Sequence, residues 1–192
     1  MKPITLETDR LQLRQWKDTD VKALAQMCAD PEVMRYFPSV LSTSESNTMA
    51  QSIRSKMEQN GWGWWAVSLK DDDQFMGFLG LNSPHGLPFT PCIEIGWRLA
   101  QPFWGKGYAI EAGREVLAFA FHTLKLEEVV SFTAVSNHRS QRVMQRIGMN
   151  NTDRNFDHPL MPIGHPLREH VLYSALQTYG METRNLERFS GT

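Results

Sequence analysis

The pattern of apolar and polar positions in the first 61 residues predicts a short strand followed by two helices. Leu11–Arg14 alternates apolar and polar side chains, as a half-buried strand does. A helix is predicted over roughly Thr19–Ala29, with Asp18 as its N-cap. It ends there because an Asp-Pro pair follows, and the residue before a proline is disfavoured in helical geometry. A second helix is predicted between the capping box at Ser42–Glu45 and Gly61. Its apolar stripe is formed by Met49, Ile53 and Met57.

The remainder of the chain predicts strands first and then an alternation of strands and helices. The predicted strands are Trp64–Leu69, Gln74–Leu81, Ile93–Leu99, Val129–Val135 and a last one around His170–Leu176. The long helix that follows the third of these has the apolar stripe Ala109, Ala112, Val116, Ala120 and Leu124. A shorter helix is predicted after the fourth, capped at Ser136 or Asn137, with Val143, Met144 and Ile147 inward and Gly148 at its end. This order predicts an α/β fold with helices around a mixed sheet. Since no repeat or linker interrupts it, we expect one domain over residues 1–192.

Composition narrows the classes of function. The net charge of −1 lacks the basic excess that binding to a phosphate backbone needs, so nucleic acid is not expected as a partner. No apolar run approaches the roughly 20 residues that span a bilayer, and the first residues lack the apolar stretch of a secretory signal. Cys28 and Cys92 are too far apart to suggest a disulfide framework. We therefore expect a cytoplasmic protein that does not bind membranes and that holds any anionic ligand locally.

A glycine-containing run between a predicted strand and a predicted helix offers such a local site. Gly105 and Gly107 let the backbone approach a ligand closely. The first N–H groups of a helix have no intrahelical partners and lie at the positive end of its dipole, and Lys106 adds a cation. The fragment alone is equally compatible with an ordinary tight turn. A Walker-type loop is excluded because no Gly-Lys-Ser/Thr ends the run, and a dinucleotide fold is disfavoured because one fingerprint glycine is missing.

Several segments, in order along nearly the whole chain, resemble one protein family. Ile93–Leu99 followed by Trp104–Ala112 is similar to the acetyl-CoA motif of the GNAT acetyltransferase superfamily, with tryptophan at position 104 where the family usually has Gln or Arg. Residues 137–140 and 147–149 resemble the family's Asn-x-x-Ser…Leu-Gly-Phe helix. Thr8–Arg14 and Ala29–Met34 look like the branch that acetylates the N-termini of ribosomal proteins (RimJ/RimL-like).

The resemblance implies the GNAT fold, a mostly antiparallel mixed sheet that is splayed between its fourth and fifth strands and flanked by helices. It also implies acetyl-CoA as co-substrate and a set of residues that bind it. The pantetheine arm would pair with the backbone of Trp97, Arg98 and Leu99 and bond to Asn137, and the pyrophosphate would lie on the N–H groups of Gly105, Lys106, Gly107, Tyr108 and Ala109. Arg142 would either contact the nucleotide phosphates or belong to a solvated helix face.

Two catalytic residues are also expected. The reaction is attack of an amine on the thioester, and an amine with a pKa of about 8 to 10 is largely protonated at neutral pH, so a base must take its proton. Glu94 matches the strand glutamate that serves as base in part of the family, although a purely structural role is equally compatible. The leaving thiolate needs a donor. Many relatives use a tyrosine where this chain has Met144, which cannot donate. The resemblance to the ribosomal N-terminal branch then implies Ser140 as the donor, unless its hydroxyl bonds only to the backbone.

Acceptor contacts are expected from Phe37, Trp65, His158 and His170, which are aromatic residues or lie where relatives close the cleft. The tryptophan lines the acceptor pocket only if it is exposed, since core and sheet packing is the first interpretation of this residue. No metal is expected, because the histidine spacing fits no common site.

The predicted function is therefore N-acetyl transfer from acetyl-CoA to a primary amine, either a protein N-terminus or a small molecule, by direct attack in a ternary complex. Two alternatives remain open at this point: a CoA-binding sensor or scaffold without turnover, and transfer of a longer acyl group. A monomer or a homodimer is expected.

Overall fold

The protein folds around one mixed sheet, and the structure, a computed structural model, describes residues 3–177. Within those residues the strands are β1 (Leu6–Glu7), β2 (Leu11–Arg14), β3 (Trp64–Leu69), β4 (Phe75–Asn82), β5 (Glu94–Leu99), β6 (Glu128–Ala134), β7 (Asn150–Asn151), β8 (Phe156–Asp157) and β9 (Glu169–Leu176). The helices are α1 (Asp18–Cys28), α2 (Thr43–Asn60), α3 (Tyr108–His122) and α4 (His138–Arg146), with a 3₁₀ turn at Gln101–Phe103. The α/β prediction and the longer elements are confirmed.

The helix ends follow the predicted capping chemistry at one helix and depart from it at another. At α2 the Ser42–Glu45 capping box is formed, and Gly61 ends the helix in the left-handed conformation with φ 80°. At α1 the prediction that Asp18 is the N-cap is wrong: Lys17 is the N-cap, and the backbone N–H of Lys17 donates to Asp20 Oδ2 at 2.7 Å. Asp20, and not Asp18, supplies the capping carboxylate because it is the third residue of the helix, from which its side chain reaches back to the free N–H of Lys17.

The sheet order is β1-β2-β3-β4-β5-β6-β9-β7, with β8 beside β9. Every registered neighbour pair is antiparallel except β5 and β6, which run parallel and share a single registered pair, Glu94 and Val130. The bond from Val130 N–H to Ile93 O, 2.9 Å, closes this end of the pair. No further pair of these two strands is registered among the described residues, which is consistent with the splay expected between the predicted Ile93–Leu99 and Val129–Val135 strands.

Helices α3 and α4 pack on one face of the sheet, and α1 and α2 pack on the other. Because side chains alternate along a strand, each strand serves both layers. On the α3 face, the buried Trp65 meets Phe119 edge to face at 5.5 Å. On the α1–α2 face, Phe78 and Arg98 are register partners. No helix of the described residues is long and apolar enough to cross a bilayer.

Candidate active site

The loop that precedes α3 presents unpaired main-chain donors. Gly105 and Gly107 adopt φ of 74° and 84°, and Gly107 is the N-cap of α3. The carbonyl of Gly107 accepts from the N–H groups of Ile110 and Glu111, whereas the N–H groups of residues 105–109 donate to no group within residues 3–177. Unpaired N–H groups at a helix start form an anion site. The loop therefore has the geometry of an anion site, with the exposed Lys106 beside it.

Trp104 fixes this loop to the end of β5. Its indole Nε1 donates to the carbonyl of Leu99 at 2.8 Å. The guanidinium of Arg139, at the start of α4, lies 4.2 Å from the centre of the Trp104 ring, a distance at which cation–π attraction operates. The tryptophan that departs from the family pattern thus joins β5, the loop and α4.

The sequence analysis missed a second attachment of the loop, made by the turn between β1 and β2. Glu111, in the first turn of α3, accepts from Thr8 Oγ1 at 2.5 Å, from the backbone N–H of Arg10 at 2.9 Å and from Arg10 Nε at 2.7 Å. Burial alone would raise the pKa of Glu111, but these hydrogen bonds and the charge of Arg10 outweigh it and lower the pKa. Arg10 also lies 4.5 Å over the ring of Tyr108. Only the family resemblance of the 8–14 segment pointed to these residues.

The open edge of β5 offers main-chain groups along the splay. The N–H of Ala100 bonds to Met76 on β4, and alternate residues of a strand point their main-chain groups to opposite neighbours. The main-chain N–H and C=O groups of Trp97 and Leu99 therefore point toward the gap between β5 and β6, while those of Arg98 point toward β4. Of the three predicted backbone contacts, those of Trp97 and Leu99 face the gap, and the carbonyl of Leu99 is already used by Trp104.

The start of α4 lies across the gap. Asn137 is the N-cap of α4: its Oδ1 accepts from the N–H of Ser140 at 3.2 Å, and its Nδ2 donates to Thr133 at 2.9 Å. An amide has two donor hydrogens and two acceptor lone pairs, so one of each remains for a ligand. The half-buried Ser140 has no side-chain bond within the described residues, which leaves its hydroxyl available. Met144 is buried, and Arg142 is exposed on α4.

Glu94 lies at the narrow end of the splay, where β5 and β6 still pair. Burial raises the pKa of its carboxyl to about 7, opposed only weakly by Asn82, whose Nδ2 is 3.5 Å away. A carboxyl with a pKa near the working pH is a suitable general base. The predicted base therefore lies where the gap between β5 and β6 closes, with its side chain on the α1–α2 face.

The predicted acceptor residues divide between the two faces of the sheet. Phe37, 36% exposed, lies on the α1–α2 face with Arg98 4.0 Å from its ring centre. Trp65 is fully buried on the α3 face and donates to Ile4 O at 2.7 Å, so it cannot line an open pocket. Its neighbour Trp64 is half-buried on the α1–α2 face, against Gly96 and Phe78. Period two makes one tryptophan internal and the other accessible, and the sequence did not reveal which.

His158 and His170 lie side by side in an aromatic cluster with ring centroids 4.8 Å apart. Burial lowers the pKa of both. Three further rings complete this cluster, and the sequence analysis did not single them out: Phe89, Phe132 and Phe156. His158 is half-buried, whereas His170 is 6% exposed and so supports the cluster more than it offers surface. Among residues 3–177 no group of three or more His, Cys, Asp or Glu side chains is arranged to hold a metal ion.

A mixed sheet that opens between two parallel strands, beside a helix start with unpaired N–H groups, defines a class of α/β protein with an anion site next to the opening of its sheet. Comparison with known proteins narrows the class. Residues 10–150 match the model of the acetyltransferase (GNAT) domain. The uncharacterized N-acetyltransferase YnaD of Bacillus subtilis is 27% identical over 172 residues, which cover 90% of this chain and 96% of YnaD.

Solved structures agree with this assignment. An acetyltransferase from Agrobacterium tumefaciens matches with a TM-score of 0.74 at 28% identity, covering 92% of this chain and 96% of that one. RimL, a ribosomal α-N-protein acetyltransferase solved with coenzyme A, has the same fold, with a TM-score of 0.72 at 18% identity, covering 90% of this chain and 98% of RimL. The chain belongs to the GNAT acetyltransferase family, and it is an acyltransferase.

Proposed function

We propose that the protein transfers an acetyl group from acetyl-CoA to a primary amine in a ternary complex. The observation that carries the proposal is the row of unpaired N–H groups at residues 105–109, continued by the open edge of β5. Together they offer donors for a diphosphate and a groove for an extended amide-bearing chain, the two chemical features of the coenzyme A arm. In RimL, coenzyme A is the bound ligand, which supports the same donor here.

In this proposal each polar group has one task. The N–H groups of residues 105–109 and Lys106 bind the pyrophosphate, the backbone of Trp97 and the spare amide hydrogen of Asn137 orient the pantetheine, and Arg142 stays a candidate for the nucleotide phosphates. Glu94, as carboxylate, takes the proton of the acceptor amine. The amine nitrogen then bonds to the acyl carbon, and the carbon–sulfur bond breaks. The second proton that the nitrogen releases reaches the departing sulfur through Ser140 Oγ, which accepts it while giving its own hydrogen to the sulfur.

The acceptor would approach from the α1–α2 face, between Phe37, Trp64 and the aromatic cluster at His158. Those side chains are compatible with both a protein N-terminus and a small amine. The resemblance of Thr8–Arg14 to ribosomal N-terminal acetyltransferases and the fold shared with RimL support the first. We also propose that the chain is cytoplasmic and acts as a monomer or homodimer.

The test is thiol release from acetyl-CoA in the presence of amine acceptors, including peptides with free N-termini, polyamines and amino acids. We expect CoA release that depends on the acceptor and a product heavier by one acetyl group. The same assay with propionyl- and hexanoyl-CoA measures the tolerance for longer acyl groups. Tight CoA binding by calorimetry without turnover on any acceptor would instead support a CoA-binding sensor.

A further inference from the structure

Arg98 is a largely buried cation without an acidic partner. Its Nη1 donates to Cys28 Sγ at 3.1 Å and lies 4.0 Å from Met49 Sδ, and its Nε is buried without any bond. Its guanidinium carbon is 4.0 Å from the ring centre of Phe37 and 5.3 Å from that of Phe78. No Asp or Glu of the described residues lies within 4 Å of the guanidinium. The charge is surrounded by sulfur atoms and aromatic faces.

A buried arginine elsewhere in the same chain shows the usual solution. Arg14, whose side chain is 7% exposed, bonds to Asp20 at 2.7 and 3.1 Å and to Asp73 at 2.9 Å. Such pairing compensates the loss of hydration that a buried charge suffers. Burial lowers the pKa of Arg98, but an arginine stays protonated in proteins and cannot discharge itself. Arg98 therefore keeps a positive charge whose natural counter-ion is missing from the part of the chain that the structure describes.

The position of Arg98 connects it to the acceptor side of the site. Arg98 and Glu94 are four residues apart on β5, so both side chains point to the α1–α2 face. Gly96 lies between them and carries no side chain, and the ring edge of Trp64 fills its place: a Cβ there would be 2.8 Å from the indole. The surface between Glu94 and Arg98 is thus formed by the flat aromatic ring of Trp64.

We propose that Arg98 is the acceptor-recognition residue and binds a carboxylate of the amine that is acetylated. The inference deepens the proposed function and rests on it. Glu94 and Arg98 are separated by about 13 Å of strand at roughly 3.3 Å per residue. An extended peptide covers that distance in a few residues, so an acidic side chain or C-terminus near an N-terminal amine matches the span better than an α-carboxylate does. The guanidinium edge can bind a carboxylate with two parallel hydrogen bonds.

The experiment compares acceptors that differ only in one carboxylate. The wild-type enzyme is assayed with peptide pairs that carry Asp or Asn at the second or third residue, with short peptides as free acids or C-terminal amides, and with single amino acids or their α-amides. We expect kcat/KM to favour the acid of each peptide pair by about 10- to 100-fold, the range for hydrogen bonds to a charged group. Single amino acids should show a smaller preference because of the span.

The variant Arg98→Met removes the charge but keeps a flexible apolar side chain beside Cys28, Met49 and Phe37. We expect it to lose the preference for the acid, so that the kcat/KM values of each acid–amide pair become equal within about threefold. Because it removes an unpaired buried charge, its thermal midpoint should not fall. The matched control is Arg35→Met: Arg35 lies, like Phe37, on the connection between α1 and α2, 64% exposed, and its loss should leave the preference intact. Arg98→Lys keeps the charge without the bidentate edge and should retain part of the preference.

The outcomes separate this inference from the proposed function. Equal kcat/KM for acids and amides with wild-type enzyme overturns the role of Arg98 even though acetyl transfer occurs. A preference that survives in Arg98→Met, or that Arg35→Met removes equally, overturns the assignment as well. If Arg98→Met does not fold, the preference of Arg98→Lys decides, since an unchanged value would exclude bidentate recognition. Absence of transfer to every acceptor, with CoA bound, rejects the proposed function itself.

Discussion

Replacing Gly107 by alanine perturbs the anion-binding loop through its backbone alone. Gly107 has φ 84°, and a Cβ at that position would meet nothing closer than Arg10 Nη2 at 3.6 Å. The substitution therefore causes no steric clash. Its cost comes from the left-handed conformation, about 1–2 kcal/mol for a residue other than glycine. A β-branched side chain is more strained there, so Gly107→Val should cost more.

That cost becomes visible in ligand binding if the free loop relaxes out of the left-handed conformation. The ligand must then restore it, and 1–2 kcal/mol corresponds to a loss of affinity of about 5- to 30-fold. We expect calorimetry with CoA to give a weaker Kd of that size for Gly107→Ala and no measurable binding for Gly107→Val.

The control is Gly86→Ala, which carries the same strain away from the loop. Gly86 has φ 73°, and a Cβ added there would have no atom within 4 Å, so this variant should lower the thermal midpoint and leave the Kd for CoA unchanged. A Gly107→Val protein that is folded and binds CoA as tightly as wild type would refute the assignment of the loop.

Three further predictions concern the remaining polar groups. Ser140→Ala should lower kcat more than it weakens CoA binding, because the helix-capping bond uses only the backbone N–H of Ser140; an unaltered kcat removes Ser140 from the mechanism. For Glu94 the folded pKa of about 7 exceeds the ordinary 4.5, so its carboxylate destabilises the fold increasingly as pH rises between those values. Glu94→Gln should accordingly raise the thermal midpoint more at pH 8 than at pH 5, and it should abolish the fall of wild-type kcat/KM below pH of about 7; equal pH profiles would exclude Glu94 as base. Glu111→Gln should lower the thermal midpoint at neutral pH, and the difference should vanish as pH falls through the lowered pKa of Glu111.

Local patterns predicted most of the fold because its elements obey local rules. The Trp64–Leu69 strand has its predicted bounds, and α2 begins and ends at the residues whose side chains and glycine cap it. The α1 cap failed because Asp18 and Asp20 are both good capping residues, and only the three-dimensional reach of Asp20 to the Lys17 N–H decides between them. The short strands β7 and β8 were not predicted, since two-residue strands exist only through their pairing with β9.

The candidate site was predictable where it depends on backbone and not where it depends on distant side chains. The positive φ of Gly105 and Gly107 could be expected from the sequence, because glycine is the residue that adopts this conformation most easily. The attachment of Thr8 to Glu111 spans 103 residues, and nothing in the local pattern of either segment indicates the other. The same holds for the ring cluster of Phe89, Phe132 and Phe156, which three separate elements bring together. The burial of Trp65 was also not predictable, because the helix that covers a strand decides which face of the strand becomes internal.

In the proposed function, one short segment, strand β5, would serve both substrates of the transfer reaction. Its main-chain groups at Trp97 point into the gap toward β6, and its side chains at Glu94 and Arg98 point to the α1–α2 face. In the proposed function, a donor bound along the edge and an acceptor bound on the face would therefore meet where the gap closes, beside Glu94. An acceptor-specificity change at Arg98 therefore need not disturb donor binding, whereas a shift of β5 by one residue would exchange the two faces and destroy both.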